Sequence, residues 1–235
     1  MSQEDKKKPA VKLKTPAGRL GWPKLSEPDY GTKDYPKPDG EYSTKLILKA
    51  DDPATRAFLK ELQPHYEAAL EAGKEEFAKL KPETRKKLKQ VNENPLFTEL
   101  LDKETEEPTG EIEFKFSKKA SIVAQKGPKA GQRIQLRVAL FDAKGNVIQK
   151  APQIWSGSVA KVAFVASPYF IPGTGAAGLK LSLDAVQIIE LRQGGGKSAS
   201  DYGFGAEDGY THGDDTSDTG STDESNDGEA ETPDF

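Results

Sequence analysis

The sequence predicts a mainly β protein, a small barrel of strands with one helical insertion and two disordered termini. Three observations favour this fold class. Several short segments alternate between apolar and polar residues, as half-buried strands do. Between residues 52 and 92 the apolar residues instead recur at helical spacing. After Leu191 the chain contains no Val, Ile, Leu or Met, so its last part lacks the apolar surface that folding requires.

The first elements follow from these patterns. Residues 1–16 are polar and lysine-rich and predict a mobile basic arm, and the folded domain is expected to cover residues 17–192. The segment YSTKLILKA places Tyr42, Leu46 and Leu48 on one face of a strand. The segment EIEFKFSKKA alternates in the same way, so Phe114 and Phe116 are expected to pack inside the barrel.

The helical insertion lies between the first two of these strands. Asp51 or Asp52 can cap a helix, and Pro53 suits its first turn. The apolar residues at helical spacing are Phe58, Leu59, Leu62, Tyr66 and Leu70. Pro64 removes one backbone donor and is expected to break or kink this helix.

The remaining strands follow the insertion. The segment QRIQLRVALFDAKGNVIQK reads as a hairpin with its turn at AKGN, and it places Arg133 and Arg137 on one outward face. IWSGSVAKVAFVASPYFI predicts a longer, bent strand with a bulge at Gly157, and GLKLSLDAVQIIELR predicts the last strand. Five or six strands with one insertion favour the five-stranded Greek-key barrel called the oligonucleotide-binding fold (OB-fold).

The end of the chain has a different composition. The linker GGGKSAS leads into a tail, and residues 193–235 are expected to be disordered. Residues 201–235 contain twelve Asp and Glu and no Lys or Arg, so the 34 basic residues of the chain face 26 acidic ones in the first 200. The total charge of −4 therefore combines a basic body of about +8 with an acidic tail. This asymmetry predicts a polyanionic partner, and a tail that competes for the same basic surface.

Several classes of chemistry are excluded or disfavoured. The chain has no Cys, which excludes thiolate sites, and its two histidines, His65 and His212, assemble no plausible catalytic or metal site. We therefore predict no enzyme, no cofactor and no metal. GTGAAG at 173–178 matches a dinucleotide motif, but alternating residues follow it, so it reads as a loop between strands. The N-terminus carries no secretory signal and no segment is long enough for a membrane span, which predicts a cytoplasmic protein.

Aromatic and basic residues in Pro-, Gly- and Ser-rich settings indicate binding of single-stranded nucleic acid, since lysines follow phosphates and aromatic rings stack on bases. The predicted stacking residues are Trp22, Tyr35, Tyr42, Trp155 and Tyr169. The predicted phosphate contacts are Lys24, Lys33, Lys37, Lys45, Arg133, Arg137, Lys150 and Lys161. The acidic tail ends in Asp234 and Phe235, and a terminal aromatic on such a tether can fill an apolar pocket on a partner protein.

Other functions fit parts of the same pattern. An acidic-tailed chaperone would bind basic proteins through the tail and ignore oligo(dT). A binder of structured RNA or duplex DNA would prefer paired strands, because stacking on aromatic rings requires unpaired bases. A monomer and a homodimer both remain open.

The order of the segments GRLGWPKL, GEYSTKLIL, GNVIQKAPQIWSGSVAKVAFVASPY and GLKLSLDAVQIIEL, followed by an acidic tail ending in Phe, resembles the single-stranded DNA-binding proteins of tailed bacteriophages, of the T7 type. The resemblance implies an OB-fold, sequence-independent binding of single strands in DNA replication, recombination and repair, and a location in the cytoplasm of the infected host. It also implies a tail that contacts replication proteins such as the polymerase or helicase-primase. By matching position, Trp22 and Trp155 become candidates for the DNA face and Phe235 for the partner contact.

Overall fold

The structure is a computed structural model, and it describes residues 10–192 of the chain. The predictions for residues 1–9 and for the tail at 193–235, including Asp234 and Phe235, lie outside the described residues. Along the described part the chain forms β1 (Val11–Lys14), β2 (Gly18–Gly31), β3 (Pro36–Lys49), α1 (Pro53–Ala78), α2 (Pro82–Leu88), β4 (Asn92–Glu93), β5 (Thr98–Leu101), β6 (Pro108–Lys119), β7 (Ser121–Val123), β8 (Arg133–Gln135), β9 (Ala139–Phe141), β10 (Val159–Ile171) and β11 (Ala176–Glu190).

Five long strands close into a barrel. Around the ring, β2 pairs with β3, β3 with β6, β6 with β11, β11 with β10, and β10 with β2 again. All of these pairings are antiparallel except that of β6 with β11, which is parallel. The OB-fold predicted from the alternating segments is therefore confirmed.

The interior of the barrel contains the residues that the alternation placed there. Phe114 and Phe116 are fully buried, and Phe164 of β10 lies with its ring centroid 5.1 Å from that of Phe116. Tyr42 shares this interior with Leu46, as their common face of β3 predicts. Burying a large apolar side chain contributes roughly 1.5–3 kcal/mol, so these rings are a main source of the stability of the barrel.

Helix α1 packs against β10 and β11 and sends two residues into the core. Phe58 meets Phe114 edge to face at 5.4 Å, and Leu62 is fully buried beside it. Asp52 caps the helix as predicted, its carboxylate accepting a hydrogen bond from the N–H of Ala54 at 2.7 Å. The helix continues through Pro64, however, so the predicted break is wrong. Pro64 is exposed, and water can solvate the backbone carbonyl that has no helical donor there.

The structure corrects three further boundaries. Val11–Lys14, which we assigned to a mobile arm, pair with residues 163–166 of β10. The predicted strand at 133–138 ends after Gln135, so Arg137 does not share a strand face with Arg133. Gly157, expected as a bulge inside a strand, lies with φ of 92° in the turn before β10. Strand pairing, which local alternation does not report, sets the first two of these boundaries, since β1 pairs with β10 and β8 pairs with the three residues of β7.

The loop after β10 agrees with its interpretation from the sequence. Strand β10 ends at Ile171 and β11 begins at Ala176, so GTGAAG covers the end of the loop between two antiparallel strands and the start of β11, and it opens no helix. Within residues 10–192, no helix combines the length and the apolar character needed to cross a membrane.

Candidate nucleic-acid interface

Trp22 lies on a bulge of β2, where the register with β3 shifts between Gly21 and Lys24. Its φ of 47° is unusual for a non-glycine residue, and its side chain is 78% exposed. Its backbone N–H donates a hydrogen bond to Oγ of Ser156 at 2.9 Å. Trp155, 39% exposed, directly precedes that serine. The bulge therefore brings Trp22 next to the segment that carries the second tryptophan.

A row of one lysine and three serines crosses the outer face of four barrel strands. Lys24 of β2 lies opposite Ser43 of β3, Ser43 opposite Ser117 of β6, and Ser117 opposite Ser182 of β11. Each serine alternates with buried residues of its strand, so all three lie on the outer surface of the barrel. Short side chains leave this surface low enough for a polymer to lie across it.

A row of lysines runs beside the serines. Lys45 of β3 pairs in register with Lys115 of β6. Lys180 lies two residues before Ser182, as Lys115 lies two residues before Ser117, so in the parallel pairing of β6 with β11 it continues the same row. Lys115 and Lys180 are exposed and have no ion pair among the residues that the structure describes, whereas Lys45 pairs with Glu113 at 2.8 Å.

Three lysines and one serine of these two rows line a groove with a volume of about 600 Å³. We call it the lysine groove and define it by Lys45, Lys115, Ser117 and Lys180. Residues 95–98 line it as well, and so does the end of β10 with Tyr169. The hydroxyl of Tyr169 is hydrogen-bonded to the side-chain amide of Asn94, which holds the tyrosine in the groove wall. The groove thus combines cations, hydroxyls and an aromatic ring, as sites for single-stranded nucleic acid do.

The loop between β2 and β3 presents two more aromatic side chains. Tyr35 is 82% exposed and Tyr30 is 59% exposed. The N–H of Thr32 donates to the carbonyl of Tyr35, and the N–H of Tyr35 donates to the hydroxyl of Thr32, both at 3.2 Å. Gly31 precedes this turn with φ of 77°, and a Cβ there would lie 2.1 Å from the carbonyl oxygen of Tyr35. The glycine therefore permits the tight turn that keeps Tyr35 and Lys33 exposed.

Lys37 lies between two carboxylates. Its ammonium is 2.8 Å from Asp29 and 2.8 Å from Glu41. The hydrogen bonds to Asp29 and then to Glu41 raise the pKa of Lys37, and the bond from Lys37 lowers the pKa of Asp29. Burial is the largest single influence on Glu41 and would raise its pKa, but the hydrogen bond and charge of Lys37, the hydrogen bond of Ser117 and the charge of Lys115 together lower it. Two carboxylates of the protein therefore balance the positive charge of Lys37, which makes Lys37 a weaker candidate for a phosphate contact.

The positive charge of Arg133 is partly balanced by a nearby carboxylate, that of Asp39. It lies 3.4 Å from Asp39, donates to the carbonyl of Pro38, and anchors the two-stranded β7–β8 sheet beside the start of β3. Lys119 approaches Asp39 more closely, at 2.9 Å, and its hydrogen bond is the main cause that lowers the pKa of Asp39, with Arg133 adding to it.

Four other predicted residues lie outside the lysine groove. Tyr42 is only 7% exposed and its ring belongs to the barrel core, so the structure contradicts its assignment as a stacking residue. Lys161 lines a different cavity, together with Ala54 and Ala57 of α1. Arg137 and Lys150 are exposed in connecting segments and do not line the lysine groove.

Lys115, Lys180 and the three serines are site residues that were not predicted from the sequence. The signal for Lys115 was present, since it alternates with Phe114 and Phe116 and must therefore point outward. The row across four strands depends on the register between β6 and β11, which are separated in the sequence by residues 120–175. No metal centre competes with this interpretation, because residues 10–192 contain no cluster of three or more metal-ligating side chains.

Comparison with known proteins gives matches to one family. The family model for the single-stranded DNA-binding protein of bacteriophage T7 matches residues 20–191. The single-stranded DNA-binding protein of Enterobacteria phage T3 is 30% identical over 194 residues, which cover 80% of this chain and 79% of that protein. The one from Escherichia phage T7 is 28% identical over 177 residues, covering 73% of this chain and 72% of that protein.

A solved structure supports the same relationship. The crystal structure of gp2.5, a single-stranded DNA-binding protein encoded by bacteriophage T7, superposes with a TM-score of 0.61 at 26% identity, covering 78% of this chain and 93% of that one. The prediction that the chain is not an enzyme is confirmed by its family, whose model describes a binding protein. With the family model matching nearly the whole described barrel, the chain belongs to the family of single-stranded DNA-binding proteins of the bacteriophage T7 type.

Proposed function

We propose that this protein binds single-stranded DNA without sequence preference, and that the strand lies in the lysine groove. The single observation that carries this proposal is the row of Lys45, Lys115 and Lys180 beside the serines of the same face. In OB-folds the face of the second and third barrel strands, with the loops beside it, is the usual site for oligonucleotides. Here those strands are β3 and β6, which supply Lys45 and Lys115.

Exposed aromatic side chains supply the second half of the interaction. We assign stacking roles to Trp22 and Tyr35, which expose most of their rings, and to Trp155 and Tyr169, which expose part of theirs. Each base stacked on such a ring contributes roughly 1–3 kcal/mol regardless of its identity. A duplex offers no free base faces, so this site favours unpaired strands. Lys24, in line with the serine row, and Lys33, in the β2–β3 loop, are the further phosphate contacts that the geometry supports.

The acidic segment at 201–235 has a separate part in the proposal. Its twelve carboxylates resemble a polynucleotide in charge, so the segment competes with DNA for the lysine groove. The same segment, through Asp234 and Phe235, recruits replication proteins when DNA displaces it. The protein then coats single strands during replication, recombination and repair in the cytoplasm of the infected host.

Tryptophan fluorescence during titration with oligo(dT), at two salt concentrations, tests the binding function. Quenching is expected as bases approach Trp22 or Trp155, with a log–log salt slope of about −0.7 for each phosphate neutralised. Duplex DNA and RNA of equal length serve as competitors. Stronger competition by either of them than by unlabelled oligo(dT) would contradict a site built for unpaired DNA.

Truncation after residue 200 tests the competition by the acidic segment. The shortened protein is expected to bind oligo(dT) more tightly at low salt, with a difference that shrinks as salt rises, because the Debye length falls to about 8 Å at physiological ionic strength. Equal affinities of the full and shortened chains at low salt would rule out the competition while leaving the binding function intact.

A further inference from the structure

The segment at 79–89, which contains α2, is rich in positively charged residues. Its cations are Lys79, Lys81, Arg85, Lys86, Lys87 and Lys89, and all six are exposed. Glu83 is the only acidic residue in this segment. We call Lys81, Arg85, Lys86, Lys87 and Lys89 the α2 patch.

Three acidic residues near this segment are paired with lysines outside the α2 patch. Lys74 of α1 lies 3.4 Å from Glu93 and 3.8 Å from Glu71, and Lys79 lies 2.6 Å from Glu76. Among the described residues, none of the five cations of the α2 patch forms an ion pair. The patch differs in this from Lys37, which is paired within the protein. A concentration of unpaired cations costs self-repulsion in the free protein, which a bound polyanion relieves.

The α2 patch is connected to the lysine groove through the loop at 172–175. Gly175 packs against α2, since a Cβ placed on it would lie 3.4 Å from a methyl carbon of Leu88. The N–H of Asn92 donates to the carbonyl of Gly175 at 2.9 Å, and the N–H of Asn94 donates to that of Ala177 at 2.8 Å. The side chain of Asn94 then meets Tyr169, which lines the groove. A continuous set of contacts thus joins the end of α2 to the groove wall.

Backbone contacts hold the C-terminal end of α2 beside the loop at 172–175. Lys89 adopts φ of 67°, a left-handed conformation that is uncommon for lysine, and its N–H donates to the carbonyl of Arg85 at 2.8 Å. The next residues form β4, which pairs in parallel with the first residues of β11. The patch is therefore attached to the same strand that supplies Lys180 to the groove.

We propose that the α2 patch binds phosphates of the same DNA strand, on nucleotides that flank those in the lysine groove. The strand leaves the groove beside Tyr169, passes the loop at 172–175, and continues over α2. The helical insertion then lengthens the binding site beyond the barrel. This inference rests on the proposed function, since it assumes that the groove itself holds single-stranded DNA.

The test compares a short and a long oligonucleotide on full-length protein. Oligo(dT) of about 8 nucleotides fits within the roughly 4–16 nucleotides that one OB-fold covers, and oligo(dT) of about 30 nucleotides extends past it. The variant R85Q/K86Q/K87Q removes three cations of the patch. The control K12Q/K60Q/K144Q removes the same charge from exposed lysines that do not line the groove and have no ion pair among the described residues.

For the long oligonucleotide, the patch variant is expected to lower the magnitude of the salt slope by about 2, at about 0.7 for each phosphate that the variant no longer neutralises. Its slope for the short oligonucleotide should stay as in the unmodified protein, and the control should leave both slopes unchanged. Equal reductions for the two lengths, an equal reduction in the control, or no reduction at all would each overturn the inference. Failure of the unmodified protein to bind the short oligonucleotide would instead overturn the proposed function, which keeps the two failures distinct.

Discussion

At the scale of residues, exposure and charge pairing decide which side chains are available to DNA. The sequence predicted Trp22 and Tyr35 from their Pro- and Gly-rich settings, and both lie on the surface. The sequence alone could have ruled out Tyr42 as a stacking residue, because Tyr42 shares its strand face with Leu46 and Leu48. The pairing of Lys37 with Asp29 and Glu41 could not be predicted from the sequence, since it depends on loop geometry.

Replacement of Trp22 by Ala is expected to weaken oligo(dT) binding roughly 5- to 150-fold, which corresponds to the loss of one stacked base at about 1–3 kcal/mol. Fluorescence anisotropy of labelled oligo(dT) measures the change. The control is Tyr42→Phe, because Tyr42 lies in the core and its replacement should leave affinity unchanged. A change below twofold in the Trp22 variant would remove this residue from the DNA interface.

Replacement of Glu113 by Gln is expected to tighten binding about 2- to 5-fold at low salt. Glu113 is the partner of Lys45 in the groove, so its removal frees one cation for phosphate and deletes one repulsive charge. Stability should change little, because a partly exposed ion pair contributes about 0–1 kcal/mol. Binding titrations over a salt series measure the effect. Unchanged or weaker binding would mean that phosphates do not reach Lys45.

At the scale of elements, long periodic segments were predictable and short ones were not. Barrel strands β3, β6, β10 and β11 carry alternation over many residues, and α1 carries helical spacing over about seven turns. Strands of two to four residues, such as β4 and β9, exist because β11 offers them a partner. The predicted break at Pro64 was wrong, since the packing of Phe58 and Leu62 outweighs the local cost of a proline in the helix.

The contact of α1 with β11 offers a test of this packing. Gly73 lies where a Cβ would be 2.4 Å from the Cβ of Ala177. Replacing Gly73 by Ala is expected to destabilise the protein by about 1–3 kcal/mol through overpacking, although Ala favours a helix by about 1 kcal/mol. Urea unfolding measures the difference in free energy.

The double variant Gly73→Ala/Ala177→Gly supplies the control for that prediction. It restores the space between the helix and the strand, so it should be more stable than expected from the sum of its two single changes. Strict additivity, or a gain of stability in the Gly73 variant alone, would show that the two elements are not in close contact.

At the scale of the whole molecule, the separation of charge was readable from composition, and the groove was not. Counting acidic and basic residues along the chain separates a basic body from an acidic tail. The lysine groove arises only when β6 and β11 pair in parallel and close the barrel, which aligns Lys115 with Lys180. Register between strands so distant in sequence is determined by the packed core, and no local pattern encodes it.

Charge reversal in the lysine groove is the sharpest test of whether single-stranded DNA lies there. Affinity for oligo(dT) is measured for K115E/K180E and for K12E/K144E, which makes the same change in charge outside the groove. We expect the groove variant to bind at least about tenfold more weakly, with a salt slope smaller by about 1.4, at about 0.7 for each phosphate. The other variant should bind nearly as the unmodified protein does. Equal affinities of the two variants would contradict binding in the lysine groove.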